Sequence, residues 1–365
     1  MNLSQLLKGC ELLKEDGRVV VQTIRNMQVA FLTTAPENSF DARFANPLTT
    51  LRFSNRNYGH LRAENQTDQD VILAPQFAVM TKYAAQNHAL PKSAYVPAGQ
   101  AVDYNDAGCV QGSQAGTIRA GDGNEVRFMP VTIREMLLDE ANNTHSGLAH
   151  LYTSVETLGI RTRSNSGRYL DRYYDEHNAR LQEFVAHFER PKNLIGVVIL
   201  VGGEIVAIDK FPSFNYTEQV WDLLVRDCYG SIAIEQMVKN ESGKPLFTER
   251  LESSERAANE DVVAYLSRVL DGTLSDVSET VMRRLQEVML VDFDAEQDVN
   301  SISPIYESNI LKSDGYVGQV ISSGGAHLLV SVIKKDRFDP VSIRKTYEEV
   351  EAYRSAAENQ RAFTL

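Results

Sequence analysis

Cysteine is scarce in this chain: Cys10, Cys109 and Cys228 are the only three in 365 residues, and they lie far apart. They form no CxxC pair and no zinc-like spacing, so the sequence predicts buried thiols and a reducing compartment rather than a disulfide framework. No apolar run approaches the roughly 18 residues that a membrane helix needs. The opening Met-Asn-Leu-Ser-Gln-Leu-Leu-Lys lacks the basic and apolar regions of a secretory signal. A cytoplasmic protein, off the membrane, is expected. Basic residues are outnumbered, 37 Lys+Arg against 49 Asp+Glu, for a net charge of −12. Such a charge repels nucleic acid and anionic lipid. Gly-x-Ser-x-Gly, the phosphate-binding Gly-x-x-x-x-Gly-Lys and His-Glu-x-x-His are all missing. His177 and His187 stand ten residues apart, on different faces of a helix. The carboxylates of Asp292-Phe-Asp294-Ala-Glu-Gln-Asp298 lack the glycine and distal glutamate of a calcium loop. No metal and no cofactor is expected.

What is present reads as an ordinary globular chain, 43% hydrophobic and 24% charged. At this length folding buries well over half of the unfolded surface, so no staples are required. Leu3, Leu6, Leu7, Cys10 and Leu13 predict a helix over about 3–15, ended by Gly17. Val19–Thr23, Met27–Thr33, His60–Asn65 and Val71–Met80 read as strands, and Ser93–Tyr104 as a strand broken at Pro97-Ala98-Gly99. The glycine-rich 108–123 reads as a loop or hairpin. Thr132 and Glu135 have the spacing of a capping box that opens a helix through Leu138. Further helices are expected at about 169–188, 217–237, 255–270 and 278–289, with a closing helix at about 340–359. Two hairpins carry paired glycines at the turn, Gly202-Gly203 and Gly324-Gly325, which supply the positive φ angles of a tight connection. The expectation is an α+β fold: a β-rich unit over 1–130 with an N-terminal helix, an α+β unit over 131–335 holding both Gly-Gly hairpins, and a helical extension over 336–365.

Several segments carry a resemblance. They are Ala63-Glu-Asn with Asp70-Val-Ile-Leu, Gln86-Asn87-His88, Tyr95-Val-Pro-Ala-Gly99, Leu158-Gly-Ile-Arg161 with Ser164-Asn-Ser166-Gly167, Gly196 through Phe211, and Gly318 through His327. In order and spacing the chain resembles, from about residue 60 to 334, a prokaryotic family of unknown function. That family is named for its association with ADP-ribosylglycohydrolase (ARG) and rhodanese-phosphatase-superfamily proteins. The association implies ADP-ribose or nucleotide-derivative chemistry nearby. The family pattern has a Gly-Glu pair where this chain has Ala78-Val79, a lysine at Ala85 and an arginine at His88, so one carboxylate and two cations are missing here.

The candidate ligand-binding residues fall in four places. Gln86, Asn87 and His88 offer amide and imidazole groups between two strands; the bland alternative is a polar loop capping its own backbone. Arg161, Arg163, Ser164, Ser166, Gly167 and Arg168 precede a helix, where free N–H groups, the helix dipole and guanidinium forks all favour an anion. The alternative there is an N-cap with arginines paired along the helix. Asp209 ends the first hairpin as a general-base or turn-capping aspartate. His327 follows the second hairpin turn, at a position that resembles the family's. No catalytic set emerges. The leading expectation is a non-catalytic, self-assembling or scaffold-type protein that forms a homo-oligomer. The alternative is an enzyme or binder acting on a phosphorylated or ADP-ribosyl small molecule.

Overall fold

The computed structural model describes residues 1–56, 59–81, 87–112, 118, 124–139, 147–239, 254, 257, 260–298, 303 and 305–335. The closing helix expected at 340–359 lies outside these residues. The architecture is α+β, organised on a nine-stranded antiparallel sheet. Its strands are β1 (Cys10–Leu12), β2 (Val21–Ile24), β3 (Met27–Thr34), β4 (Leu194–Val201), β5 (Glu204–Lys210), β6 (Asp294–Gln297), β7 (Glu307–Lys312), β8 (Tyr316–Ser323) and β9 (Ala326–Lys334). The order across the sheet is β1-β3-β4-β5-β9-β8-β7-β6, with β2 also paired to β3. Strands from before residue 130 and strands from after it thus share one sheet, across the point where the local pattern turns from strand to helix.

The helices are α1 (Leu3–Leu6), α2 (Val131–Asp139), α3 (Gly147–Arg161), α4 (Leu170–His187), α5 (Phe214–Leu223), α6 (Gly230–Lys239) and α7 (Val262–Met289). Both sheet faces are covered, which explains why every residue of β4 is apolar or glycine and buried rather than alternating with polar ones. Val197, Ile199 and Val201 enter the larger core with α3 to α6. Val198 and Leu200 enter the smaller core with α1 and α7. Small sheets formed by residues between 51 and 128 pack into the larger core: a four-stranded sheet around Phe77–Met80, a three-stranded sheet around Leu61–Asn65, and Val71–Leu73 paired with Ala94–Val96.

The two Gly-Gly hairpins, β4–β5 and β8–β9, match position by position. Six residues before each glycine pair stands another glycine, Gly196 or Gly318, and six residues after it stands Asp209 or Ser331. A Cβ on Gly196 would run into the carbonyl of Asp209, and one on Gly318 into that of Ser331. Both first strands shift register at the same place, after Ile199 and after Ile321. The hairpins meet along β5 and β9, where Asp209 faces Ser331.

Several expectations change. The helix foreseen over 3–15 is one turn, Leu3–Leu6, followed by strand from Cys10. Gly9, at φ 82°, breaks it, and Cys10 and Leu12 then follow the two-residue period of a strand beside β3. Val71–Met80 is two strands in different sheets, because Pro75 cannot donate to a ladder. The helices foreseen at 255–270 and 278–289 are the single α7, with Asp261 as its N-cap. The helix α3 has no counterpart in the sequence pattern.

Leu3, Leu6 and Leu7 are buried against the chain's own sheet and α7. The N-terminal ammonium donates to the Phe293 carbonyl at 3.1 Å, and the Phe293 N–H donates back to Met1 at 2.8 Å. This turn is therefore part of the fold of one chain, not a free arm reaching for a neighbour. Leu6→Ala should lower unfolding free energy by about 2–5 kcal/mol in urea titration, the usual cost of truncating a buried leucine. It should leave the mass in solution unchanged.

Candidate functional site

Helix α2 carries polar residues where its apolar pattern would place core. Val131, Ile133, Leu137 and Leu138 are buried, but so are Thr132, Arg134 and Glu135. Arg134 is fully enclosed. Its guanidinium donates to both Asp209 oxygens at 3.1 and 2.7 Å, to Gln76 Oε1 at 3.1 Å, to Ser331 Oγ at 2.6 Å and to Cys228 Sγ at 2.8 Å. Tyr229 donates its hydroxyl to Asp209 at 2.7 Å. Burial works against a charged guanidinium, but the Asp209 carboxylate outweighs it and holds Arg134 above its ordinary pKa. Burial pushes the Cys228 thiol up to about 12, so the sulfur stays protonated and unreactive.

Cys228 and Tyr229 reach this network because the helix is wound wide there. Leu224–Tyr229 forms a π-helical turn between α5 and α6, and the Gly230 N–H bonds the Val225 carbonyl five residues back. Side chains over the turn are rotated relative to an α-helix, a device that recurs at functional sites. Asp227, on the same turn, accepts from Arg127 at 2.8 and 2.7 Å and from Arg226 at 2.8 Å. The Tyr174 ring lies under Arg127 with 4.3 Å between guanidinium and centroid, and the Tyr174 hydroxyl donates to the Phe128 carbonyl at 2.6 Å. Burial alone would lower the Arg127 pKa; Asp227 raises it above the ordinary value.

A third cluster opens toward solvent. Glu235 of α6, fully buried, accepts from Thr132 Oγ1 at 2.7 Å and pairs with Arg161 at 2.7 Å. Thr132, Glu135 and Arg161 line a cleft of about 300 Å³ whose far side is the β4–β5 turn and the end of β9. Of the residues in these three clusters, sequence reasoning offers only Asp209 and Arg161 as site candidates; it reads Thr132 and Glu135 as a capping box, but the helix already starts at Val131 and the Thr132 hydroxyl donates to Glu235. The available signal was the charge of Arg134 and Glu135 among five apolar positions of one short helix.

The expected site residues are dispersed. Gln86 lies outside the described residues. Asn87 is buried, accepting from the Thr81 N–H at 2.8 Å while its own N–H donates to Gln111 at 3.2 Å. His88, also buried, has Nε2 3.2 Å from Asn55 Nδ2 and 3.9 Å from Cys109 Sγ. The loop after α3 receives a carboxylate of its own chain. Glu176 accepts from the Ser164 hydroxyl at 2.6 Å and from the Asn165 N–H at 2.9 Å. The Ser166 N–H turns back to Ser164 Oγ at 3.0 Å, Arg163 and Gly167 adopt φ of 53° and 59°, and Arg168 donates to Glu156 at 3.1 Å. Asn87 and this loop are linked through Val110, whose N–H bonds Asn87 and whose carbonyl receives the Leu170 N–H. His327 belongs to β9, with Nδ1 2.9 Å from Ser322 Oγ and its carbonyl accepting from Lys210. Burial, then Lys210, lowers the His327 pKa; burial also lowers that of Lys210. Among the described residues no group of three or more His, Cys, Asp or Glu is placed to hold a metal, and no helix is long and apolar enough to cross a membrane.

Arg134→Met leaves Asp209 buried without its partner and should cost about 3–5 kcal/mol of stability. Adding Asp209→Leu should recover at least about 1 kcal/mol, since it removes the stranded charge; urea unfolding of both variants measures the difference. Burial also lowers the pKa of His177. With His177 and His327 both below their unfolded value near 6.5, the stability they contribute is complete above that value and is lost as pH falls through the folded ones. The urea midpoint should therefore drop between pH 7 and 5, and His177→Gln should make that drop shallower.

No curated protein and no solved structure matches the chain. Residues 21–292 match a family model, which takes in the first hairpin and the π-helical turn but stops before β6. The segment 318–327, which also carried the resemblance, lies beyond that match. The chain belongs to the ARG and Rhodanese-Phosphatase-superfamily-associated Protein domain family.

Proposed function

We propose that this chain is a self-associating, scaffold-type protein, and that an exposed apolar stripe on the N-terminal half of α7 is where a second copy docks. The observation that carries this reading is a stripe of exposed side chains. Val262, Leu266, Leu270 and Leu274 follow one another at four-residue spacing with Val263 beside them, and Leu270 is 46% exposed. Spacing of this kind sets side chains on one helix face. The stripe flanks a second line, Val269, Val277, Val281 and Val288, that is buried, the last two in the smaller core against the sheet. A lone exposed leucine is ordinary, but a contiguous apolar stripe marks a surface that meets another protein. Two such stripes laid antiparallel about a twofold axis are self-complementary.

The polar clusters support the same reading. Arg134, Asp209, Asp227 and Glu235 are closed to solvent and bonded to one another or to other elements of the frame. Charges so placed hold elements together rather than meet a substrate. The experiment is size-exclusion chromatography with light scattering on wild type and on the double variant Leu266→Asp, Leu270→Asp. The wild type should run as an oligomer, and the variant as a smaller species with unchanged circular dichroism. A wild type that is monomeric at tens of micromolar, or a variant of unchanged oligomeric mass, overturns the reading.

A further inference from the structure

We propose that the cleft between α2, α6 and the β4–β5 hairpin binds an uncharged, planar cyclic amide of pyrimidine-base type, a property separate from self-association. Its volume, about 300 Å³, is at the lower end for small-molecule sites and admits a single ring with a small substituent. Aliphatic side chains enter from both sides: Val131 and Ile232 from the helices, Val201 and Val206 from the hairpin. A flat ring between them lays an apolar face on each side and keeps its polar edge free.

The charges around the cleft are already paired. Arg161 lies 2.7 Å from Glu235, Lys334 3.0 Å from Glu204, and Lys335 2.7 Å from Asp139. Arg284 joins Glu204 from α7, and Glu135 is engaged within the chain as well. A charged ligand must therefore take a partner from one of these groups, and it gives up its own hydration to do so. A neutral ligand disturbs none of them.

The neutral hydrogen-bonding groups of the lining are mostly committed too. The Thr132 hydroxyl donates to Glu235, and the Gly202 N–H donates to the Asn26 carbonyl at 2.9 Å. Gln236, half-buried on α6, differs: its side-chain amide lines the cleft and bonds no other described residue. It presents an NH₂ donor and a carbonyl acceptor side by side. The partner such a fork selects is an N–H beside a carbonyl in one plane, which is the edge of a cyclic amide. Glutamine reads a nucleobase by the same two-bond pairing. A sugar would instead press hydroxyls against the aliphatic walls, at the cost of their hydrogen bonds to water.

The test is calorimetry on the full chain with four probes: uracil, 1,3-dimethyluracil with both N–H groups blocked, orotate with a carboxylate added to the same ring, and D-ribose. Uracil should bind, and each of the other three should bind at least about tenfold more weakly. Gln236→Leu should weaken uracil by at least about tenfold while its urea midpoint stays within error of wild type. If that midpoint shifts, the four probes on the wild type decide the matter without the variant. No binding of uracil at millimolar concentration overturns the proposal, as does any other probe binding as tightly as uracil. So does unaltered uracil affinity in a folded Gln236→Leu. None of these outcomes bears on the oligomeric mass, so the two proposals fail independently.

Discussion

A guanidinium removed from water has five N–H groups to satisfy and a full charge to neutralise. Arg134 satisfies all five inside the protein, two on Asp209 and one each on Gln76, Ser331 and Cys228. Those partners come from a loop of the small sheets, from β5, from β9 and from the π-helical turn. A buried ion pair seldom adds much stability over apolar packing of the same volume, but it tolerates few arrangements of the parts that supply its partners. The positions of α2 against the sheet, and of the α5–α6 junction against both, are thereby fixed together. The cleft beside Thr132 and Glu135 inherits its shape from that constraint, because those residues flank Arg134 on the same helix.

The matching of the two hairpins gives this constraint a simple geometry. Asp209 and Ser331 are equivalent positions of β4–β5 and β8–β9, and they face one another where the hairpins join. Arg134 bonds both. One cation thus spans the seam between two similar halves of the sheet. Gly196 and Gly318 make the close backbone approach in each half possible, since a Cβ at either would collide with the carbonyl of Asp209 or Ser331. The difference between the halves is chemical: an aspartate in one and a serine in the other give Arg134 one counter-charge rather than two.

Much of the frame was legible in the residues. Paired glycines between apolar runs identify the hairpins because the required positive φ angles leave little else, and the covering of both faces of β4 follows from its unbroken apolar run. The short α1 misled, because Leu3, Leu6 and Leu7 fit a helix while Cys10 and Leu12 fit a strand, and only Gly9 separates the two periods. The clusters around Arg134, Asp227 and Glu235 were hidden for a different reason. Their members are spread from Gln76 to Ser331, and no local spacing relates them. The π-helical turn adds to this, since sequence patterns assume the α-helical period and so place Cys228 and Tyr229 on the wrong faces. The loop after α3 bonds a carboxylate of its own chain, Glu176, twelve residues downstream of Ser164, while Arg161 and Arg168 pair with Glu235 and Glu156.

The sheet also joins pairings of very different range along the chain. β6, β7, β8 and β9 are consecutive in the chain and joined by short connections, apart from the longer link between β6 and β7. Their pairing asks for little loop closure. β3 and β4 are neighbours in the sheet, yet residues 35–193 separate them. Loop-closure entropy grows only with the logarithm of length, so the final structure tolerates this insertion, but contacts of such long range slow the search for the native state. The C-terminal meander and the β4–β5 hairpin form from local contacts. β3 instead meets β4 across the whole insertion of helices and small sheets, with Thr33 beside Leu194.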